Sequence, residues 1–448
     1  MIKHKRWTIC SAAALLSAPI LLSSWLALAA DPGPTPSPSG REATPSRLPA
    51  IVVARDERPS PDRAARKAKQ PPPQAAQAAK EKVPPRVPFT AAEDAASVIP
   101  GMPDSRFWMD SVTDFKNALP QEPGPWLILS SGGADGAFGA GLLVGLAAGG
   151  NRPAYPVVTG VSTGALMAPF IFAGPHYDDA LRDAYTKITA ADVFEAGSST
   201  GESFVNSWPL RDFIAKEMTP AVLSDIAAEH KRGRRLFVVT SDLDAERSVV
   251  WNMGAIAAHG GEAATKLFCN VLLASAAIPG GFPPVLIDVE ANGKHFQEMH
   301  ADGGLGGQFF VAPATLMAST SDYRLPATQL YIVLNTGMQR DFKVVDRFAP
   351  TILTQSIGMA VPIDTSLMAD RSDVVAKRSG VGFNIASIPA SFNAPSRGAF
   401  DPDYMKALFQ TGYELAQGAT PFSSEPPYPS GLRAPPAPPS HIEKTGAN

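Results

Sequence analysis

The run Tyr155-Pro156-Val157-Val158-Thr159-Gly160-Val161-Ser162-Thr163-Gly164-Ala165-Leu166 leaves the chain few folds to choose from. It reads as a short apolar strand, a tight turn carrying Gly-x-Ser-x-Gly, and the start of an apolar helix. A serine at such a strand-to-helix turn sits on strained backbone with its hydroxyl above the sheet edge. Gly160 and Gly164 are needed because a side chain at either place would collide with the neighbouring strand or helix. The N–H groups that open the helix face any negative charge forming beside the hydroxyl. Ser162 is therefore the candidate nucleophile, and the rest of the chain must supply a base and an oxyanion site.

At 448 residues the chain has room for more than one domain, but its proline gathers at the two ends and the folded part is shorter. The formal net charge is −3, which argues against nucleic acid as a partner. Residues 1–30 have the form of a signal peptide. Lys3, His4, Lys5 and Arg6 form a basic start, an apolar run follows, and Ala27-Leu28-Ala29 offers a small-x-small cleavage site. The pattern predicts export to the periplasm, the exterior or a membrane surface; an uncleaved anchor is the alternative. With Cys10 in that segment, Cys269 is left without an intrachain partner, inside the apolar run Leu267 to Leu273. Residues 31–88 lack aromatic side chains and are rich in proline, alanine and basic residues, the composition of a disordered linker. Residues 421–448 return to proline and glycine and predict a disordered tail, which leaves 89–420 as the folded domain.

Within that domain, Phe107, Trp108, Val112, Phe115 and Leu119 recur at helical spacing and predict a helix ending before Pro120. Strands are expected at Trp126–Ser130, Leu236–Thr240, Ser248–Trp251, His295–Met299 and Leu330–Leu334. Helices are expected at Thr163–Phe172, Asp178–Lys187, Leu210–Met218, Ala221–Glu229 and Ala263–Ala276. Helices that recur between strands indicate an α/β layered fold around a mainly parallel sheet.

The strand at Trp126 leads into Ser131-Gly132-Gly133-Ala134-Asp135-Gly136 and a further helix. About 30 residues separate this loop from the Ser162 turn, the length of one strand–helix–strand crossover, so both loops reach the same carboxyl edge. Consecutive glycines let backbone N–H groups converge on one concavity, and Gly132 and Gly133 are the candidate oxyanion site. A phosphate-binding nucleotide loop is the rival, but neither Gly-x-x-x-x-Gly-Lys-[Ser/Thr] nor Gly-x-Gly-x-x-Gly is present. A serine needs a base within hydrogen-bond reach. Asp302, in Ala301-Asp302-Gly303-Gly304, is the first candidate. His300 competes, with Asp242 or Asp244 as its orienting carboxylate in the Ser-Asp-His order of α/β-hydrolases. His176, His230, His259 and His295 form no ligand pattern, so neither a metal nor a cofactor is expected. Trp251, Met253 and Phe282 are candidates for an acyl pocket and equally for core packing.

Together, Ser130 to Leu143, the Gly-x-Ser-x-Gly turn and Asp302-Gly303-Gly304 resemble the patatin-like phospholipase family. The segments Arg234 to Asp244, Val249 to Gly254 and Ala274 to Val285 share in the resemblance, which covers roughly residues 105–420. It implies a three-layer α/β/α fold and a lipid acyl ester hydrolase with a Ser–Asp dyad and no catalytic histidine, metal or cofactor. Carried over by position, Ser162 is the nucleophile, Asp302 the base, and Gly132, Gly133 and Ala134 form the oxyanion hole. The implied partner is a lipid or other acyl ester, with a membrane surface as a further possible one. Two positions depart from the family's loop: Ser131 stands where a further glycine is usual, and Asp135 where a basic residue is usual. The Ser131 backbone N–H is expected to remain available as a donor, while Asp135 puts an anion beside the site. A general esterase or thioesterase with a Ser-His-Asp triad and a non-catalytic lipid-binding protein are the alternative readings.

Overall fold

A parallel sheet whose strands carry apolar residues on both faces must be covered on both sides, and the chain follows that rule. The computed structural model describes residues 85–195, 202–340, 342, 344–347 and 349–432. The expected signal segment, most of the linker and the last part of the tail lie outside the described residues. The strands are β1 (Arg106–Trp108), β2 (Gly124–Leu129), β3 (Val157–Val161), β4 (Arg235–Asp242), β5 (Arg247–Asn252), β6 (Val285–Ala291), β7 (Lys294–Asp302), β8 (Ala327–Leu334), β9 (Gln339–Arg340), β10 (Gly382–Ser387) and β11 (Ser430–Leu432). The helices begin with α1 (Ala91–Ala95), α2 (Val112–Ala118), α3 (Gly136–Ala148), α4 (Thr163–Ala173), α5 (Asp178–Thr186) and α6 (Ala190–Val193). They continue with α7 (Trp208–Glu217), α8 (Pro220–Lys231), α9 (Met253–His259), α10 (Gly261–Ser275), α11 (Ala314–Met317), α12 (Ala349–Ser379) and α13 (Pro402–Gln417).

The main sheet runs β1-β5-β4-β3-β2-β8-β10. Pairing is parallel from β4 through β3, β2 and β8 to β10, and antiparallel at β4–β5 and β5–β1. One apolar cluster lies between the sheet and helices including α3, α4, α10 and α13, and a second packs the opposite face under α2, α11 and α12. The result is the expected three-layer α/β/α sandwich with a mainly parallel central sheet. Helix α3 has no charged side chain and is buried from Gly136 to Leu146, because it is sandwiched between the sheet and α13.

Three features depart from the sequence expectations. The periodic run from Phe107 to Leu119 is strand β1 followed by helix α2, because Arg106–Trp108 pair with Val249–Trp251. Strand β8 is not the last: β10 pairs with it in parallel, and α12 forms the crossover between them. Helix α12 gives no clean periodicity because apolar side chains such as Met359, Ile363 and Leu367 stand on its outer face as well as on its inner one. Finally, structure continues past Pro421. Phe422 packs edge-on against Tyr331, and Ser423 exchanges backbone hydrogen bonds with Ile385. That apolar burial holds a segment whose proline content alone points to disorder.

The pairing that matters most for the site is local. Strand β3 covers β4 only as far as Val239, and beyond that point β7 takes its place. Thr240, Ser241 and Asp242 of β4 face Asp302, Ala301 and His300 of β7. The end of β7 is thus delivered next to the end of β3, where Ser162 begins the turn.

Candidate active site

Ser162 follows the last residue of β3 at φ 55° and ψ −122°, one of few positive-φ residues other than glycine among those described. Such backbone costs of order 1–3 kcal/mol and persists only where surrounding contacts impose it. Those contacts are visible. The Ser162 N–H donates to Ser275 Oγ at 3.0 Å, and Ser275 Oγ donates to the Val239 carbonyl at 2.7 Å. A Cβ on Gly160 would stand 2.5 Å from the Gly164 carbonyl oxygen, and one on Gly164 would stand 2.4 Å from that of Leu129. Both glycines of the turn are therefore required by close backbone approach, as the motif implies.

Asp302 is buried, and its N–H donates to the Ala277 carbonyl at 2.9 Å. Ser275 and Ala277 stand at the end of α10, so one helix terminus suspends both Ser162 and Asp302. Asp302 Oδ1 accepts from the Gly304 N–H at 2.7 Å. Oδ2 makes no hydrogen bond of ordinary geometry, yet the Ser162 hydroxyl lies close enough to favour the charged form. Burial dominates and pushes the carboxyl up to about 7, against the opposing pull of Ser162 and Gly304.

The glycine loop is fixed from two sides. Asn335 donates its N–H to Ser130 Oγ and its side-chain amide to the Ser130 carbonyl, at 2.8 and 2.9 Å, while its Oδ1 accepts from the Gly139 N–H. A Cβ on Gly132 would stand 1.9 Å from the Asn335 carbonyl oxygen, so only glycine fits there. On the other side stands Gln308, fully buried. Its carbonyl accepts from the Ser131 N–H at 2.8 Å, its Oε1 accepts from Ser131 Oγ, and its Nε2 donates to the Gly304 carbonyl at 3.1 Å. This corrects one expectation: the Ser131 N–H is engaged by Gln308 and is not a free donor. The N–H groups opening the short helical turn Gly133–Asp135 have no intrahelical acceptor, and Gly133 lines the same cavity as Ser162. Asp135, the departure that puts an anion beside the loop, accepts from the Tyr404 hydroxyl on α13 at 2.7 Å.

His300 is buried with both ring nitrogens directed elsewhere. Nδ1 lies 2.9 Å from Thr240 Oγ1, which also accepts from Trp251 Nε1, and Nε2 lies 3.1 Å from Glu298 Oε2. Glu298 in turn is held by Arg106 and Ser97. Burial opposes the charge on Glu298, but the Arg106 and His300 hydrogen bonds win and lower its carboxyl to about 2. Asp242 accepts from the backbone of its own turn at Asp244 and Ala245, and Asp244 is paired with Arg86. The structure thus brings Asp302 to Ser162, places His300 and Asp242 in a separate buried cluster, and leaves Asp244 exposed in its pair with Arg86. Asp242, Glu298 and His300 have ligand atoms within 4.8 Å of one another, but Arg106, Ser97 and Thr240 already occupy those of Glu298 and His300. His176, His259 and His295 pair with surface carboxylates. Cys269 is half-buried, and burial pushes its thiol up to about 11.

A cavity of about 650 Å³, counting its open mouth, begins at Ser162 and Gly133. Its walls are apolar and come from α4, α5, α7 and the segment after α10, with Leu166, Phe170, Leu210, Ile278 and Phe282 prominent. Of the three proposed pocket residues only Phe282 lines it. Trp251 stacks edge-on with His300 in the core, and Met253 is buried at the start of α9. The arrangement presents a strained hydroxyl, a carboxyl titrating near neutrality and unpaired N–H groups at the mouth of an apolar slot.

Gln308 is the residue that sequence reasoning missed, because its partners are remote in sequence. Gln308→Ala leaves the Ser131 hydroxyl and the Gly304 carbonyl buried without partners. A loss of about 2–4 kcal/mol in stability is expected. Because the variant also loosens both loops, leaving only the Ser131 N–H bonded to the backbone carbonyl at position 308, turnover should drop by about 10- to 100-fold. Denaturant melts and kcat measurements check both; a variant unchanged in each would show that the bridge positions nothing.

Residues 127–315 match the family described as Patatin-like phospholipase. Among curated protein sequences, none matches the chain. Solved structures that it resembles include VipD from Legionella pneumophila, with 12% identity, a TM-score of 0.34 and 66% of each chain covered. The chain therefore spans just under two thirds of that protein.

Proposed function

We propose that the chain, whose residues 127–315 match the family described as Patatin-like phospholipase, hydrolyses lipid acyl esters with Ser162 as nucleophile and Asp302 as base, in the manner of a phospholipase A. The observation that carries the reading is the convergence of Ser162 and the buried, near-neutral Asp302 at the mouth of an apolar cavity. Asp302 takes the Ser162 proton as Oγ bonds to the ester carbonyl carbon. The resulting oxyanion is held by N–H groups of the Gly132–Ala134 loop. Collapse of the tetrahedral species breaks the ester C–O bond, and Asp302 returns the proton to the departing alcohol, leaving an acyl-enzyme. A water then gives its proton to Asp302 and attacks the acyl carbon. The proton passes back to Ser162 as the fatty acid departs.

The apolar walls favour long acyl chains, since each buried methylene is worth about 0.8 kcal/mol, or roughly fourfold in kcat/KM until the cavity is full. Leu210→Trp should therefore shorten the preferred chain and leave short-chain turnover within about threefold. A chain-length series on both proteins checks this, and identical profiles would remove Leu210 from the pocket wall. The purified protein incubated with a mixed lipid extract, with products read by mass spectrometry, tests the function as a whole. Absence of released fatty acid, together with no labelling by a fluorophosphonate probe, would sink it. The basic, apolar and small-residue pattern of residues 1–30 supports export to the periplasm, the exterior or a membrane surface. N-terminal sequencing of the fractionated protein tests that assignment.

A further inference from the structure

Helix α12 is tied at its middle to the candidate active site. A Cβ on Gly307 would stand 3.1 Å from Met368 Cε, and the Gln308 backbone N–H opposes the upward push of burial on the Asp364 carboxyl. Gln308 is the same residue that joins Ser131 to Gly304. From there toward its C-terminus, α12 buries Ala369, Val375 and Ala376 against the sheet. Its outer face is different. Ile352, Met359, Ile363, Leu367 and Val374 are 45–65% exposed. At 100° per residue these five fall within an arc of about 80° and span about 33 Å of helix, an arc that also holds Ser356 and, in its C-terminal half, Lys377 and Asp370, the last accepting from the Tyr428 hydroxyl. Phe342 and Val344, 77% and 79% exposed, lie in the segment leading into the helix. Seven of the thirteen large apolar side chains exposed among the described residues thus belong to this one stretch. Contiguous exposure of this kind marks a surface that meets something.

We infer that the outer face of α12 docks the protein on a lipid bilayer surface. The inference rests on the lipid-hydrolase reading, which requires Ser162 to meet an ester held in a lipid aggregate. One observation favours a bilayer over a second copy of this chain. The stretch that carries Ile352, Met359 and Ile363, residues 348–363, contains no Asp, Glu, Lys, Arg or His, and charged residues begin only at Asp364. A helix partner needs charged or polar flanks to set its register, and a protein interface has a polar rim. A bilayer needs neither, since a row of apolar side chains enters the boundary between headgroups and acyl chains directly. The inner side of the same helix, through Asp364 and Met368, rests on the Gly307–Gln308 segment that follows Asp302.

The test uses the full chain carrying Ser162→Ala, so that vesicles are not consumed, and flotation with vesicles of phosphatidylcholine and phosphatidylglycerol. Adding Met359→Glu and Leu367→Glu should lower the bound fraction by about tenfold. Both positions are exposed, and an unchanged thermal melt verifies folding. In the active protein the same pair should lower turnover of vesicular phospholipid by about tenfold and leave turnover of a soluble short-chain ester unchanged. If the parent protein does not float with vesicles, or the double variant floats equally well, the inference is overturned. It is also overturned if light scattering shows a dimer that the double variant dissociates while vesicle binding persists, which assigns the face to a second copy. A protein that hydrolyses no ester yet loses vesicle binding in the double variant would refute the hydrolase reading and leave the docking surface standing.

Discussion

Replacing Ser162 by alanine should remove roughly a millionfold of the ester turnover, with the residual rate left to the oxyanion loop and substrate binding. The fold should survive, because the contacts that hold the turn are made by backbone. The Ser162 N–H still reaches Ser275, and Gly160 and Gly164 still approach their neighbours. A companion variant separates chemistry from strain. At φ 55° and ψ −122° alanine carries the same backbone penalty as serine, while glycine carries almost none. Ser162→Gly should therefore be as inactive as Ser162→Ala and more stable than the parent by about 1–2 kcal/mol. Denaturant midpoints and burst kinetics on a chromogenic ester check the pair. Wild-type turnover in Ser162→Ala would refute the nucleophile assignment. Equal stability of the glycine and alanine variants would show that the turn stores no strain.

Asp302→Asn should lower kcat by about 10³- to 10⁴-fold, the usual contribution of a general base and of the nucleophile it activates. Its effect on stability has the opposite sign. The Asp302 carboxyl is raised from 3.8 to about 7 in the folded state, so folding binds the proton more tightly. The stability this contributes is fully present below about pH 4 and is lost as pH rises through about 7. The asparagine has no charge to bury, so its advantage over the parent should grow across that window, to on the order of 4 kcal/mol above it. Urea melts of both proteins at acid and at mildly alkaline pH check the trend. A stability difference that does not change with pH would mean that the carboxyl is not raised. In the parent, kcat/KM should fall about tenfold per pH unit below about 7, as the base becomes protonated. A limb near neutrality is ordinarily the sign of a histidine. Here a buried aspartate is expected to produce it, so the limb alone does not identify the base. His300→Gln should keep turnover within about tenfold, because both nitrogens of His300 serve Thr240 and Glu298. An inactive His300 variant beside an active Asp302 variant would favour a triad.

The candidate site was legible in the sequence where its chemistry is local. A strand, a Gly-x-Ser-x-Gly turn and a helix are contiguous, and so are the glycine pair at Gly132 and the Asp302-Gly303-Gly304 run. The parts that hold these segments in register were not legible. Ser275 acts on Ser162 from 113 residues away, Gln308 on Ser131 from 177, and Asn335 on Ser130 from 205. No periodicity or motif connects such pairs. The fold was read through the same filter. Phe107 and Trp108 have helical spacing with Val112 and Phe115, but pairing with β5 overrides it, since tertiary partners decide between helix and strand in short apolar runs.

By itself, then, the sequence determined that a serine would stand on a strained turn at the end of a buried strand, because the backbone constraints of Gly160 and Gly164 are encoded within five residues. It also determined that Asp302 would be a carboxylate beside paired glycines. Only the tertiary structure decided that Asp302, rather than His300, lies next to Ser162. The two residues are separated by a single intervening position on one face of β7, and a choice between them depends on where β3 ends and β7 takes over beside β4. The tertiary structure also decided the state of that carboxylate. Burial raises it to about 7, and burial is a property of the packed layers rather than of any neighbouring residue in the chain.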